Sequence, residues 1–185
     1  MQPLLERLMT TFPDAVRGVE VDTARNEITA RVAAARIVDV ARWLHDTPEA
    51  SFDHITDICS VDYPNDPERF EVVYQLLSLA HRRRIRLKAR VTEDAPQIAS
   101  VTGIWKGAEF MEREVYDLMG ITFVGHPDLR RILLPEDYEE GHPLRKDFPT
   151  EGRGWRSSFP FIPRLDEAPE EQTEGEVPEQ EKQAY

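Results

Sequence analysis

The chain has 185 residues, of which 40% are hydrophobic, so it is long and apolar enough for one domain with a core. Its net charge of -12 argues against a general affinity for nucleic acid, and no apolar stretch approaches the roughly 18 residues of a membrane-spanning helix. The single cysteine, Cys59, cannot hold an iron–sulfur cluster alone and fits a reducing cytoplasm. The first residues lack the basic start of a signal peptide.

The first part of the chain predicts a helix, a hairpin and a second helix. Apolar residues at helical spacing predict a short helix over residues 3–11. Alternation over residues 19–21 and 28–32 predicts a hairpin with Asn26 in its turn. The apolar stripe that follows predicts a helix over residues 34–46.

The middle of the chain predicts strands. One strand is expected over residues 53–60, and alternating residues over 70–76 and 85–91 predict a hairpin. On the return strand the alternation places four cations in a row on one sheet face: Arg84, Arg86, Lys88 and Arg90. This row is either a solvated sheet face, which the sequence alone favours, or a docking strip for an acidic partner.

Residues 107–119 predict a helix with Gly120 as its C-terminal stop. Frequent prolines after Gly120 exclude a long helix or a central strand. We therefore predict an α+β core domain over residues 1–120, an extended partner-binding arm over 121–165, and a disordered acidic tail over 166–185. The core should have two layers, with helices on one face of a mostly antiparallel sheet. Four aromatic residues should anchor the arm on a partner: Phe148, Trp155, Phe159 and Phe161.

Charged residues, glycines and prolines fall at dense, fixed intervals between Glu112 and Pro149. Ordinary core patterning does not require this density, whereas an interface or an active site does. The candidate site residues are Glu112, Arg113, Glu114, Asp117, Gly120, His126, Pro127, Asp128, Arg130, Arg131, Leu133, Gly141, His142, Pro143, Arg145, Lys146 and Asp147.

These residue types permit several kinds of chemistry. Glu114 and Asp117 share a helix face and could act as an acid and base pair, but ion pairing of the helix acids with Arg130 or Arg131 is the favoured interpretation. His126 and His142 are spaced too far apart for a typical metal site and are expected to bond backbone carbonyls. With no phosphate loop or nucleophile elbow in the sequence, we predict no catalytic, cofactor-binding or metal-ligating residue.

The run from Glu112 to Leu133, its continuation from Gly141 to Pro149, and the stretch Asp57–Tyr63 resemble the 30 kDa subunit family of respiratory complex I, which is the C subunit of the bacterial NADH-quinone oxidoreductase. The resemblance covers roughly residues 30–150. It implies a non-catalytic, cofactor-free subunit of the hydrophilic arm that positions and assembles the quinone module. FMN, iron–sulfur clusters and quinone are then expected in partner subunits.

The same resemblance implies a place beside the 49 kDa-type subunit, peripheral on the cytoplasmic side of the cell membrane, with membrane association only through the complex. Two alternatives remain open. One is the equivalent subunit of a ferredoxin-dependent quinone oxidoreductase or a membrane-bound hydrogenase. The other is a stand-alone hydrolase that uses Glu114, Asp117 and His126.

Overall fold

The computed structural model describes residues 2–23 and 27–153. Its helices are α1 (Gln2–Thr11), α2 (Ile37–Asp46, preceded by a 3-10 turn at Ala34–Arg36) and α3 (Ala108–Met119). Its strands are β1 (Val16–Asp22), β2 (Glu27–Val32), β3 (His54–Asp62), β4 (Phe70–Ser78), β5 (Arg83–Val91), β6 (Gln97–Ala99) and β7 (Thr122–Val124). None of the helices in this part of the chain has the length and apolar character needed to cross a lipid bilayer.

The main sheet has the strand order β1-β2-β5-β4-β3. Only the β2–β5 pair is parallel, and the other neighbours are antiparallel. The α+β fold with a mostly antiparallel sheet is therefore confirmed. Each predicted helix and strand is present, while the turn at Asn26 lies outside the described residues.

Alternation along β4 and β5 determines which face of the sheet is buried. One core contains the apolar faces of the three helices together with Tyr74 and Leu76 of β4 and Ile85 and Leu87 of β5. The row of cations on β5 points to the opposite face and is half-buried or exposed. This arrangement follows from the period of two in strand side chains. On α1, Leu4, Leu5 and Leu8 are buried, whereas Met9 is exposed.

The core extends past the end of α3. The predicted arm begins at residue 121, whereas Ile121 and Phe123 are buried in the core. β7 pairs in parallel with β6, which explains this burial, because the pairing draws the chain back against α3. The division into a core, an arm and a tail otherwise stays a prediction, since residues 154–185 lie outside the described part of the chain.

We predict that Phe123→Ala lowers the free energy of unfolding by about 3–5 kcal/mol, because it leaves a cavity in the core. Val124→Ala on the same strand is the matched control, since Val124 is exposed, and it should change stability by less than about 0.5 kcal/mol. Urea unfolding of the full chain measures both. Equal effects would contradict the assignment of residue 123 to the core.

Candidate functional site

Helix α3 carries three charged side chains that are almost completely buried: Glu112, Arg113 and Asp117. Arg113 and Asp117 are four positions apart and therefore lie on one face of the helix. Buried charges are costly unless they are paired or hydrogen-bonded. In this helix most of the partners are backbone groups of neighbouring loops.

Glu112 anchors the loop between β6 and α3. Its Oε1 atom accepts a hydrogen bond from the backbone N–H of Val101 at 2.7 Å, and its Oε2 atom accepts one from the Ser100 hydroxyl at 2.6 Å. Burial raises the pKa of Glu112, and these two donors oppose that shift. The carboxyl group therefore fixes the chain at the start of the helix.

Arg113 and Asp117 together hold the segment that follows β7. The guanidinium of Arg113 donates to the carbonyl oxygens of Arg130 at 3.1 Å and Arg131 at 2.9 Å. The Oδ2 atom of Asp117 accepts hydrogen bonds from the three consecutive backbone N–H groups of residues 132–134, at 3.1, 2.8 and 2.8 Å. A segment without helix or strand is thereby attached to α3 along its length.

Only one of the predicted ion pairs forms. The Nη1 atom of Arg131 lies 3.5 Å from the Oδ1 atom of Asp117, and its guanidinium lies over the ring of Tyr138. Arg130 instead pairs with Asp128 at the surface, and Glu114 is exposed. The expected pairing of Glu112 or Glu114 with an arginine is therefore wrong, because the Ser100 hydroxyl and the Val101 N–H occupy the Glu112 carboxylate and Glu114 is exposed.

His126 and His142 both bind backbone groups of α3, as predicted. The Nδ1 atom of His126 accepts from the Asp128 N–H at 3.0 Å, so its Nε2 atom donates to the Glu109 carbonyl at 3.0 Å. The Nδ1 atom of His142 donates to the Asp117 carbonyl at 2.9 Å. Burial lowers the pKa of His142 and favours the neutral ring.

The segment from Gly141 to Pro149 caps the C-terminus of α3. Besides the bond from His142, the carbonyl of Leu118 accepts from the Leu144 N–H at 3.1 Å, and that of Met119 accepts from Arg145 Nε at 2.8 Å. Gly120, with a φ of 72°, ends the helix, and its backbone N–H donates to the Tyr116 carbonyl. The last four carbonyls, which a helix cannot satisfy itself, thus all have donors.

An ion cluster around the buried side chains of Arg69 and Asp62 attaches the segment from Arg145 to Asp147 to the sheet. Arg69 donates to both oxygens of Asp62 at 2.8 and 2.9 Å and to Asp147 at 2.8 Å, and it also pairs with Glu93. The backbone N–H of Lys146 donates to Asp62 at 2.8 Å. Hydrogen bonding to Arg69 lowers the pKa of Asp62 and of Asp147. No sequence pattern marked Arg69 or Glu93, and Asp62 stood out only as part of the stretch Asp57–Tyr63.

The remaining candidates lie in turns of the same region. Pro127 and Lys146 are exposed, and Gly141 and Pro143 are half-buried beside His142. Phe148 is half-buried with the guanidinium of Arg153 over its ring. Trp155, Phe159 and Phe161 lie outside the described residues.

Large apolar side chains project outward from the segments that α3 holds. Ile132, Leu133 and Leu144 are exposed, and Phe110 on α3 is exposed beside Arg113. We call these four residues the apolar patch. Because Asp117 and the helix carbonyls fix the backbone at residues 132, 133 and 144, the patch is held in a defined arrangement.

The structure does not bring Glu114, Asp117 and His126 together as the catalytic group that a hydrolase would need. Asp117 is occupied by backbone N–H groups, His126 bridges Glu109 and Asp128, and Glu114 is exposed. Within the part of the chain that the structure describes, no group of three or more histidine, cysteine, aspartate and glutamate side chains is arranged to hold a metal ion.

The predicted row of cations on β5 exists, but much of its charge is neutralised. Lys88 and Arg90 pair with the buried carboxylate of Glu71 at 2.8 and 3.1 Å. Arg90 also pairs with Asp66. Burial acts to raise the pKa of Glu71, but the two cations hold it below its usual range. This half of the row is an internal network.

Comparison with known proteins matches residues 30–154 to the family described as the respiratory-chain NADH dehydrogenase 30 kDa subunit. A protein of Roseiflexus sp. (strain RS-1), named as the C subunit of NADH-quinone oxidoreductase, is 51% identical over 146 residues, which are 79% of this chain and 82% of the relative. A protein of the same name from Xanthobacter autotrophicus is 50% identical over 152 residues, 82% of this chain and 71% of the relative.

Two solved structures share the fold. Nqo5, solved as a trypsin-resistant fragment, is 32% identical with a TM-score of 0.58, and the match covers 69% of this chain and 98% of the fragment. A chain of the membrane-bound sulfane sulfur reductase, an archaeal respiratory membrane complex, is 25% identical with a TM-score of 0.69, covering 80% of this chain and 85% of that chain.

We predict that Gly120→Ala destabilises the fold by at least about 1–2 kcal/mol, the cost of a left-handed conformation for a residue with a Cβ atom. The added atom would also lie 2.4 Å from His142 Nε2 and displace the cap. Gly103→Ala is the control, since its new Cβ would meet no atom within 4 Å beyond the adjoining residues of the chain. Thermal unfolding and the NMR signals of His142 measure the effect, and an unchanged His142 would contradict the cap.

We predict that Asp62→Asn destabilises the chain by about 3–5 kcal/mol at pH 7, because Arg69 loses its buried partner. The pKa of Asp62 is lowered by folding, so its stabilisation is present above the unfolded pKa of about 4 and is lost as the pH falls through the folded pKa. The difference between wild type and variant should therefore shrink in acid. Unfolding free energies measured from pH 7 downward test this.

Asp128→Asn is the control for that series, because its partner Arg130 is exposed and such pairs contribute about 1 kcal/mol or less. A variant difference for Asp62→Asn that stays constant down to the most acidic pH would contradict the ionised pair.

Proposed function

Because the chain belongs to the family of the respiratory-chain NADH dehydrogenase 30 kDa subunit, we propose that it serves proton-translocating NADH-quinone oxidoreductase as a cofactor-free subunit of the hydrophilic arm. In this role it assembles and positions the quinone module and performs no redox step itself. Other subunits of the complex are its partners. Electron transfer from NADH to quinone is carried by FMN and iron–sulfur clusters in those subunits.

The observation that carries this proposal is the way α3 uses its charged residues. Arg113 and Asp117 are engaged mainly by backbone groups of residues 130–134, and Glu112 by the loop before the helix. None of the three is left as a reacting group on a substrate cavity. Arg113 and Asp117 hold the backbone that carries Ile132 and Leu133 in place, which is what a docking surface requires.

We propose the 49 kDa-type subunit as the partner that covers the apolar patch. A contiguous exposed apolar surface rimmed by polar groups is typical of a protein interface. Exposed Arg130 and Asp128 lie next to the patch in sequence and supply such a rim. The aromatic residues predicted to anchor the arm, Phe148 and those after it, would extend the contact beyond the patch.

The proposed location is peripheral, on the cytoplasmic side of the cell membrane, with the complex providing the membrane attachment. The alternative of an equivalent subunit in a related respiratory machine is favoured by one observation, the similarity to the sulfane sulfur reductase chain. Its 25% identity is about half of the 51% identity to the Roseiflexus relative, whose name is that of the NADH-linked enzyme. The NADH-linked enzyme is therefore the better-supported assignment.

We predict that Leu133→Asp combined with Leu144→Asp strongly lowers the yield of the 49 kDa-type subunit that co-purifies with this chain, while the isolated chain keeps its stability. Both side chains are 58% exposed, so the free chain loses little burial, whereas a covered interface would have to bury two charges. Turnover per assembled particle should stay unchanged.

Met9→Asp is the control, because Met9 is an exposed apolar side chain on α1, outside the segments that α3 holds. Normal co-purification of the Leu133 and Leu144 double variant would show that the docking surface lies elsewhere. Normal assembly with lost turnover would show that the patch contributes to the reaction instead.

A further inference from the structure

A concentration of positive charge lies at the turn between β4 and β5. Residues 79–84 read Leu-Ala-His-Arg-Arg-Arg in a chain whose net charge is -12. Arg82 and Arg84 are exposed and Arg83 is half-buried. The predicted docking strip began at Arg84 and ran along β5, whereas this group of cations lies at the turn before the strand. We call residues 79–84 the basic turn.

The arginines of the basic turn differ from most others in the fold by having no acidic partner among the described residues. Arg86, the next cation on β5, lies 3.6 Å from Glu27, and Lys88 and Arg90 pair with Glu71. Within residues 2–23 and 27–153, no ion pair involves the three arginines at positions 82–84. Three adjacent cations repel one another, and that repulsion is relieved by an external acidic group.

The basic turn is held in place by contacts with the preceding loops. The N–H of Leu79 donates to Asp53 at 3.1 Å, the N–H of His81 donates to the Ser78 hydroxyl at 3.2 Å, and the His81 ring bonds the Pro48 carbonyl at 2.8 Å. Leu79 remains 62% exposed, the highest value among the exposed large apolar side chains of the described residues. A preorganised turn with one apolar and three cationic side chains loses little entropy on binding.

We propose that the basic turn is a docking site for an acidic segment of a neighbouring protein chain, with its carboxylates on Arg82 and Arg84 and an apolar residue on Leu79. A narrow peptide fits better than a broad polyanion. Acidic residues lie close to the turn: Asp53 bonds Leu79, and Glu27 pairs with Arg86. A membrane or a nucleic acid would meet these acids as well as the arginines, and the net charge would oppose its approach.

The basic turn lies beyond the proposed function, which concerns the apolar patch. Leu144 of the patch directly precedes the segment that bonds Arg69 and Asp62 at the start of β4, whereas the basic turn follows the end of β4. A nine-residue strand at about 3.3 Å per residue separates them by roughly 30 Å. One small interface cannot cover both places.

Photo-cross-linking in the assembled enzyme tests the proposal. A photoreactive amino acid replaces Leu79 in the full chain, and the cross-linked peptide is identified by mass spectrometry. We expect a peptide of a neighbouring subunit with several aspartates or glutamates within a few residues of the attachment point. The absence of a protein cross-link, a peptide without acidic residues, or a cross-link to lipid or nucleic acid would overturn the proposal.

Charge reversal gives the second measurement. The synthetic acidic peptide identified by cross-linking should bind the Arg82→Glu/Arg84→Glu variant about tenfold more weakly than the wild-type chain, and wild-type binding should weaken with added salt. Arg42→Glu/Lys106→Glu makes the same change in net charge at exposed sites and should bind as the wild type does. Equal losses in both variants, or no salt dependence, would contradict the site, and thermal unfolding confirms that each variant folds.

Discussion

The arrangement of residues 130–134 and 141–149 depends on the buried Asp117. It accepts the three consecutive N–H groups of residues 132–134, and its own backbone carbonyl accepts from His142. One residue of α3 therefore fixes both segments that lack helix or strand. Without it, these N–H groups would lose their acceptor, and the backbone that carries Ile132 and Leu133 would no longer be fixed to α3.

The second attachment of this region is ionic. Arg69 joins Asp62 at the end of β3 to Asp147, and the guanidiniums of Arg69 and Arg145 lie 5.0 and 4.9 Å from the ring of Phe70. Salt bridges of this kind set geometry more than they add stability, since desolvation offsets much of the attraction. Their value here is positional: the segment that caps α3 is also tied to the sheet, which aligns helix and sheet with each other.

Most of the fold could be predicted because its signals are periodic. Alternation over β4 and β5 gave both the hairpin and the cation row, and Gly120 marked the end of α3. The partners of Asp117 could not be predicted, since they are backbone N–H groups 15–17 residues away, and every residue except proline carries one. Arg69 gave no signal either, because a lone arginine beside a loop is usually solvated. The burial of Ile121 and Phe123 depended on pairing with β6, a short strand without clear alternation.

The ion pairs also indicate which charged residues can bind other molecules. Glu71 neutralises Lys88 and Arg90 within the sheet, so the cation row is partly a structural feature, and within the described residues its unpaired charge lies at the end near Arg84. Where the segment from Arg145 to Asp147 meets the start of β4, charged residues are again satisfied internally, and the preceding Leu144 projects outward. Partner contacts at both Leu144 and the basic turn would limit rotation of the subunit against its neighbours. Fixing orientation in this way would support electron transfer without a redox group in this chain, because transfer depends on how the neighbouring subunits are spaced.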